Sequence, residues 1–489
     1  MTILFVLLAY ALRSDEMQYR VTTTLATALN CEVTLDELDV RLVPSIRVIG
    51  TGISIRLRHR PELPPIIQVQ QFTVGLGLLS MYRRHVDTVH LIGLVLNIPP
   101  KFDSLTDAAG STRPLFSVNH LVAQDAELNF VGKMQNNRPL RFAIHDLDLI
   151  DASVDRPMQF TARLNSPMPE GLVVSSGVVG PWNRLDPAST ALTGAYRMPD
   201  GDLTVVNGIG GRVTASGTFQ GQLTDIHVAG TSTTPDFSLD LGGKPLPLTT
   251  SFKVVVDGTT GTTRLDRVDA TLGTTPILIS GTISNLPGPR RNDVTLAVSI
   301  QDGHIEDLLK LAIDSPLPVV IGDVSLTASF VLPPGPDRAR TRVEVNGQFG
   351  LKNASFTSAE LQRKLVELSR RGQGKNREEV VSRVATSLGG SFSLKDGQLL
   401  LPKVTFAVPG AALALSGRYT MGTEEVAFVG TARLQASLSQ VVGGFRSIFI
   451  KPFNPLFRNG KSGTVRPIRI SGTRTHPVYA VRKKDIFKK

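Results

Sequence analysis

One run of the sequence alternates strictly between two kinds of side chain: Val426-Ala-Phe-Val-Gly-Thr-Ala-Arg-Leu-Gln-Ala-Ser-Leu438. Every second residue, starting with Val426, is apolar or glycine, and most residues between them are small or polar. Because successive side chains of a β-strand point to opposite faces, the run predicts a strand with one apolar face. Fully extended, it would span ~43 Å. Strands of this length favour a wide sheet over a compact sandwich, since strands average about six residues.

The same alternation recurs through most of the chain after Cys31. In one run Val294, Leu296, Val298 and Ile300 alternate with small or polar residues, and another, from Val324 to Leu332, includes Leu326 and Phe330. Turn signals such as Asp257-Gly258 and Asp396-Gly397 separate such runs and favour antiparallel hairpins. The sequence therefore predicts a mainly β protein, built as an elongated, curved antiparallel sheet.

Three tripeptides, Ser216-Gly-Thr218, Ser280-Gly-Thr282 and Ser471-Gly-Thr473, place glycine inside these runs. Glycine inside a strand indicates a bulge or bend. Their spacing is irregular, which is typical of a degenerate repeat of hairpins and not of a solenoid with a fixed period.

Short amphipathic helices are expected at three places. The pattern predicts one helix over 15–29. It predicts another that is capped by Asp302 and has an apolar face of Ile305, Leu308, Leu309 and Ala312. A helical hairpin is predicted over 357–389: Thr357 opens a capping box, and a second helix carries Val380, Val381, Val384, Ala385 and Leu388.

Composition and charge exclude several classes of protein. Charged residues make up 19% of the chain, below the usual ~25%, and the single cysteine excludes a disulfide framework and a cysteine-built zinc site. No run of 18 apolar residues exists, which excludes a polytopic membrane protein. The formal net charge of +11 lies wholly in 446–489, with twelve basic residues and one acid. A nucleic-acid partner is therefore not expected, because a basic surface would lie at one end only.

No motif indicates catalysis. The eight histidines are scattered, and neither HExxH nor GxSxG occurs. Asp146, Asp148 and Asp151 could form a calcium cluster or a solvated strand edge. We expect no enzyme, no catalytic residue, no metal and no cofactor.

Both ends of the chain have features typical of membrane contact. Residues 2–12 carry no charge and resemble the second half of an anchor helix, although a buried N-terminal helix would also fit. Near the other end, phenylalanines recur every four residues beside basic side chains, at Phe445, Phe449, Lys451, Phe453, Phe457 and Arg458. These residues indicate docking on an anionic membrane surface or a partner. The alternative is that the rings cap the open end of the β structure and the basic tail is solvated.

The order of motifs resembles the AsmA-like family. At the start of the chain, Arg41-Leu-Val-Pro44 and Gly52-Ile-Ser-Ile55 precede Val89-His-Leu-Ile-Gly-Leu-Val-Leu-Asn-Ile-Pro99. Near its end, Phe406-Ala-Val-Pro-Gly-Ala411, Lys451-Pro-Phe-Asn-Pro-Leu-Phe457 and Pro467-Ile-Arg-Ile-Ser-Gly-Thr473 are similar to the family's closing block. The resemblance covers roughly residues 1–100 and 340–489. The anchor departs from the family pattern because it lacks its first half and a basic flank.

The resemblance implies a periplasmic protein anchored in the inner membrane, related in architecture to AsmA, TamB and the bridge-like lipid transfer proteins. Its curved sheet would form a groove that moves phospholipid between the inner and outer membranes and contributes to outer-membrane assembly. The outer membrane or an envelope protein would be a further partner. The chain would then divide into a truncated anchor and helix, an N-terminal module, a central groove, a C-terminal module and a basic aromatic segment, at 1–30, 31–100, 101–340, 341–435 and 436–489.

The residues expected to line the groove share the apolar sides of the alternating runs. They are Val294, Leu296, Val298, Ile300, Leu326, Phe330, Val426, Phe428 and Leu434. Two alternatives remain: the apolar faces could pack together as a sandwich core, or the protein could be a structural scaffold of the envelope that carries no lipid. An enzyme acting on envelope polysaccharide ranks behind both.

Overall fold

The computed structural model describes most of the chain. The parts it leaves out are 1–14, 77–84, 99–116, 132–139, 286–291, 336–341, 374–385, 435–464 and 482–489, with a few gaps of one to four residues between them. The described part is mainly β, as the alternating runs predict.

The strands follow one another along the chain and are numbered in chain order. The first twelve are β1 Cys31–Thr34, β2 Glu37–Arg41, β3 Ile46–Leu57, β4 Ile67–Leu76, β5 His85–Ile98, β6 Ser117–Phe130, β7 Leu140–Ala152, β8 Met158–Pro167, β9 Glu170–Val179, β10 Ala191–Asp202, β11 Ile209–Gly210 and β12 Arg212–Gln222. The others are β13 Asp225–Leu239, β14 Leu246–Val256, β15 Thr263–Leu272, β16 Thr275–Asn285, β17 Asn292–His304, β18 Val320–Leu332, β19 Glu344–Phe356, β20 Thr386–Lys395, β21 Gln398–Val408, β22 Ala411–Thr420, β23 Glu425–Leu434, β24 Val465–Gly472 and β25 Pro477–Val481. The described helices are α1 Asp15–Leu29, α2 Ile305–Ala312 and α3 Ala359–Gly372.

These strands form one curved sheet that does not close. Almost every strand pairs antiparallel with its neighbour in the chain, and the parallel pair β5–β6 is the exception among the described strands. At one edge of the sheet, β1 and β2 lie end to end and both pair with β3. The other edge is formed by β25. The two-residue strand β11 pairs with the end of β13. At ~4.8 Å between neighbouring strands, the row from β3 to β25 extends for about 100 Å. The predicted elongated, curved antiparallel sheet is confirmed.

Antiparallel pairing keeps the two faces of the sheet distinct. In β14, Leu248, Phe252 and Val254 are half-buried, whereas Thr249, Ser251 and Lys253 between them are exposed. Paired residues on neighbouring strands point to the same face, so the alternation passes from strand to strand. Phe252, for example, pairs with Gly230 on one side and Val268 on the other. One face is therefore apolar and the other polar.

Burial is concentrated along one long edge of the apolar face, which we call the helix edge. It is formed by the end of β17 and β19 and the start of β14 and β18, among others. Its buried apolar residues include Ile55, Ile98, Phe130, Met198, Val213, Leu246, Leu272, Ile300, Val324, Leu351, Val408 and Ala411.

Among the described helices, α2 and α3 pack on this edge. Leu311 of α2 joins a cluster with Leu246 and Leu272. In α3, Leu365 is buried and the Ser369 hydroxyl donates to the Pro409 carbonyl at 2.8 Å.

Asp307 fixes the first turn of α2 to the turn between β15 and β16. Its Oδ2 accepts hydrogen bonds from the Thr274 N–H at 2.9 Å, the Thr274 hydroxyl at 2.8 Å and the Thr275 hydroxyl at 3.0 Å. Partial burial by itself would raise the pKa of Asp307. The hydrogen bonds from Thr274 and Thr275 outweigh this effect, so the pKa lies below its ordinary value. The negative charge also suits the first turn of a helix.

Several local predictions need correction. Helix α1 has the predicted bounds, but the N-cap position of α2 is His304, whose side chain makes no capping hydrogen bond. The predicted cap Asp302 remains in β17, at an irregularity between Ile300 and Gly303. The predicted hairpin 357–389 is wrong at its end. Leu388 belongs to β20 and pairs with Leu351 and Phe406, while 374–385 lie outside the described residues.

Of the bulge or bend predicted at the Ser-Gly-Thr tripeptides, no bulge is found in the strands that carry them. Gly217 pairs regularly with Tyr196 and Gly230, and Gly281 pairs regularly with Leu296. On its other side Gly281 pairs with Leu265, and the irregularity between Leu265 and Val268 lies in β15, opposite Ser280 and Gly281. At the tripeptides, glycine instead allows neighbouring strands to approach closely: a Cβ on Gly217 would lie 2.3 Å from the Ala229 carbonyl oxygen.

We expect the substitution Asp307→Asn to lower the free energy of unfolding by about 1 kcal/mol at neutral pH, because charge-assisted hydrogen bonds become neutral ones. The lowered pKa sets the sign of the pH dependence. The stabilisation is present above the unfolded pKa of about 3.9, and it is lost as the pH falls through the folded value. Urea unfolding of both proteins at several pH values measures this difference. Asp314→Asn, at an exposed carboxylate 3.5 Å from Lys244, serves as the control and should change little. If the difference in free energy of unfolding between wild type and Asp307→Asn stayed the same at pH 2 as at neutral pH, the stabilising role of the Asp307 carboxylate would be contradicted.

Candidate functional site

The apolar face forms a continuous surface along the sheet. Leu296, for example, pairs with Gly281 on one side and Phe330 on the other, and all three are half-buried. From β12 to β22, the register places no Asp, Glu, Lys, Arg or His on this face. Most of its few polar positions are Ser, Thr or Tyr. Within the described part of the chain, no helix or second sheet covers its middle.

Two aromatic rings show that the apolar face is the concave one. Phe160 of β8 and Phe219 of β12 stack with ring centroids 6.5 Å apart. Three strand spacings separate them, or about 14 Å on a flat sheet. Between them the register places Gly177 and Gly194 on the same face. The rings lean inward over the two glycines on the apolar side of the curved sheet. This side is also the more buried one along the strands, as the concave face of a curved sheet is, and it forms a groove.

Glycine and phenylalanine meet repeatedly across this groove. In five cross-strand pairs, a Cβ on the glycine would lie within 2.3–3.0 Å of the paired ring. The five pairs are Gly50–Phe72, Gly194–Phe219, Gly230–Phe252, Gly347–Phe392 and Gly417–Phe428. A ring above a glycine shields the bare backbone from water. Because the glycine has no side chain, the ring packs close to the backbone and does not fill the groove.

Tyr196 carries one of the few polar groups on the concave face. It lies on β10 beside Gly217, and burial raises the pKa of its hydroxyl above the ordinary value. The phenol therefore remains neutral at physiological pH. An environment that disfavours a phenolate disfavours any other unpaired charge as well.

Seven of the nine predicted groove residues lie half-buried on the concave face. They are Val294, Leu296, Val298, Leu326, Phe330, Val426 and Phe428. Ile300 shares the face but is only 3% exposed, packed in the core cluster with Val324 and Leu351, so it belongs to the helix edge and not to the open groove. Leu434 is the last residue of β23 and pairs with Ala411; the predicted continuation through Leu438 lies outside the described residues.

Sequence reasoning missed most of the aromatic residues in the groove. Phe160, Phe219, Phe252, Phe349 and Phe392 all lie on the concave face. The runs that contain them alternate as clearly as those around Leu296, for instance over 212–222 and 246–256. That alternation could have identified these residues. The alternation could not have shown that these rings lie opposite glycines, because that depends on the register of strand pairing.

Two of the three predicted aspartates, Asp146 and Asp148, lie on the polar convex face and are held by basic partners. Asp148 contacts His120 Nε2 at 2.7 Å, and Asp146 contacts Arg163 at 3.4 Å. Within the described residues, no three His, Cys, Asp or Glu side chains come together as metal ligands would. Asp146 and Asp148 lie on β7, which is paired on both sides, so they do not form a strand edge either.

The predicted membrane contacts at the two ends fall outside the part of the chain that can be described. This applies to 1–14 and to the docking residues Phe445, Phe449, Lys451, Phe453, Phe457 and Arg458. None of the three described helices has the length and apolar character needed to cross a membrane.

Comparison with known proteins leaves the chain without an assigned family: no family model, curated protein or solved structure matches it. A functional assignment must therefore be argued from the groove itself.

The close approach at the glycine–phenylalanine pairs can be tested in the hairpin of β22 and β23. A Cβ on Gly417 would lie 2.3 Å from the Ala427 carbonyl oxygen and 2.5 Å from Phe428 Cδ1, whereas one on Gly422, in the turn, meets nothing within 4 Å. We expect Gly417→Ala to lower the free energy of unfolding by about 1–3 kcal/mol through overpacking. Gly422→Ala should be neutral or slightly stabilising. Denaturant midpoints measure both changes, and equal midpoints would contradict the role of glycine in the groove.

Proposed function

We propose that the protein binds phospholipid in its concave groove and moves it between the inner and outer membranes, contributing to assembly of the outer membrane. The observation that carries the proposal is the concave face itself: apolar, free of charged residues from β12 to β22, and without a covering layer in the described residues. An apolar sheet face must be covered by a second layer or by another apolar molecule. Acyl chains provide such a cover.

The energetics of the groove suit acyl chains. Each buried methylene contributes ~0.8 kcal/mol, so a lipid tail needs no polar contact to remain bound. Half-buried side chains such as Leu296, Phe330 and Phe428 would lose their remaining exposure under a tail. Because the groove offers few hydrogen-bonding groups, it should discriminate little between headgroups.

The two long edges of the groove differ, which supports an orientation for the lipid. The helix edge is closed by α2, α3 and the residues packed beneath them. Along the opposite edge, where β16 ends and β17 begins, none of the described helices packs on the groove. A tail would lie in the groove while its polar headgroup reached solvent at the open edge.

The row of strands is long enough for several lipids in series. Its length of about 100 Å exceeds the ~30 Å thickness of a bilayer's hydrocarbon core several times. We propose that the segment before residue 31 anchors the chain in the inner membrane and that the sheet lies in the periplasm. This placement rests on the uncharged start of the sequence and on the family resemblance.

The groove can be blocked by a charge on its floor. We expect Leu296→Asp to reduce bound phospholipid at least tenfold, because an unpaired carboxylate would be buried beneath the tails. Ala297→Asp introduces the same charge at the next residue, which is exposed on the convex face, and should leave binding unchanged. The measurement is mass spectrometry of organic extracts from protein purified without detergent. Circular dichroism checks that both variants keep their β structure.

Three outcomes would count against the proposal. Absence of phospholipid from the wild type would favour a scaffold whose groove carries no lipid. Equal lipid content in the two variants would mean that lipid binds elsewhere. Turnover of envelope glycan by the purified protein would indicate an enzyme.

The proposed anchor has its own test. Cells producing the chain with and without residues 1–14 are fractionated, and the protein is detected in membrane and soluble fractions. We expect loss of the segment to move most of the protein into the soluble fraction, because the sheet presents a polar convex face. Recovery of the unmodified chain as a soluble protein would contradict the anchor.

A further inference from the structure

Near the C-terminal edge of the sheet, the convex face carries a group of basic residues. Four basic residues lie on it within four adjacent strands: Lys403 of β21, Arg418 of β22, Arg433 of β23 and Arg469 of β24. Their pairing partners are exposed or half-buried residues of the same face, such as Ser391 for Lys403 and Ala412 for Arg433. We call these four residues the basic patch.

Several arginines elsewhere on the convex face are neutralised by neighbouring carboxylates. Arg264 pairs with Asp266 at 2.8 Å, Arg267 with Asp269 at 2.7 Å and Arg163 with Asp146 at 3.4 Å. Within the described residues, the four members of the basic patch have no ion-pair or hydrogen-bond partner. The register of β21–β24 places one acid on this face, Glu425 at the start of β23. With four cations and one acid, this part of the convex face carries a net positive charge.

Exposed apolar side chains lie between these cations. Leu400, 47% exposed, pairs with Arg418, and Val429, 54% exposed, pairs with Arg469. On most of the convex face such positions are occupied by Ser, Thr or charged residues, as in β12 and β15.

We infer that the convex face of β21–β24 is a docking surface for an anionic lipid bilayer. The cations are spread over about 14 Å across the strands, and from Arg418 to Arg433 over about 20 Å along them. They do not converge on one point, as a site for a single phosphate requires. Nor does the patch contain the buried aromatic anchors typical of a protein interface. Dispersed cations with shallow apolar side chains match a plane of anionic headgroups.

The inference is independent of the proposed lipid groove, because the patch lies on the opposite face of the sheet. It also involves residues other than those at 445–458 that the sequence indicates for docking. Each Lys or Arg at an anionic surface contributes roughly a fivefold gain in binding.

The test uses the full chain and sedimentation with vesicles of phosphatidylcholine containing about one third phosphatidylglycerol. We expect the double variant Arg433→Gln/Arg469→Gln to bind on the order of 20-fold more weakly than the wild type. Arg264→Gln/Arg267→Gln is the matched control. It removes the same charge from the same face, but at arginines already paired with aspartates, and should bind like the wild type. Wild-type binding should fall as salt rises and be weak on vesicles of phosphatidylcholine alone.

Several results would overturn the inference. Equal losses in the two double variants would mean that binding follows net charge and not the patch. Unchanged binding in Arg433→Gln/Arg469→Gln, or no binding of the wild type to anionic vesicles, would exclude this face as a membrane contact. Binding to an acidic polypeptide but not to vesicles would assign the patch to a protein partner. Circular dichroism distinguishes loss of binding from loss of fold.

Discussion

The structure depends on the register of antiparallel pairing. Paired residues point to the same face, so a shift by one residue in any strand would move its apolar side chains to the polar face. Across the described strands the register keeps Leu296, Phe330 and Phe428 on one side and Ser329, Ala427 and Arg418 on the other. Without this constraint the alternating runs would form a sheet but not a sheet with a continuous apolar surface.

Curvature follows from what the paired positions contain. Where glycine lies opposite phenylalanine, the ring covers the backbone and neighbouring strands approach closely, as at Gly194 and Phe219. The stacked rings of Phe160 and Phe219 record the inward bend. The same pairs leave the floor of the groove low and apolar, so the residues that bend the sheet also line the proposed lipid path. Helices α2 and α3 then close one long edge, where Ile300 is lost to the core.

The two faces of the sheet are suited to different contacts. From β12 to β22 the concave face lacks charge and supports binding by burial alone, which predicts little selectivity for headgroups. The convex face is polar and carries several Arg–Asp pairs, and at β21–β24 four cations without an ion-pair partner lie together. In the proposed function, lipid would occupy one face along the length of the sheet, while the opposite face at one end would contact the membrane.

The sequence by itself determined the fold class, helix α1 and seven of the half-buried groove positions, because a period of two is a local property of the chain. It misjudged features that depend on distant strands. Ile300 looks identical to Val298 in the alternation, but packing of α2 and of β18 and β19 buries it. Leu388 fits a helical pattern, yet pairing with Leu351 and Phe406 holds it in a strand. The glycines of the Ser-Gly-Thr tripeptides suggested bulges or bends; in the tertiary structure they lie at close strand contacts, and the bulge near Gly281 is in the facing strand β15. The face toward which the sheet bends, its helix edge and the unpaired cations of β21–β24 were decided only by tertiary structure, because each arises from residues that only strand pairing brings together.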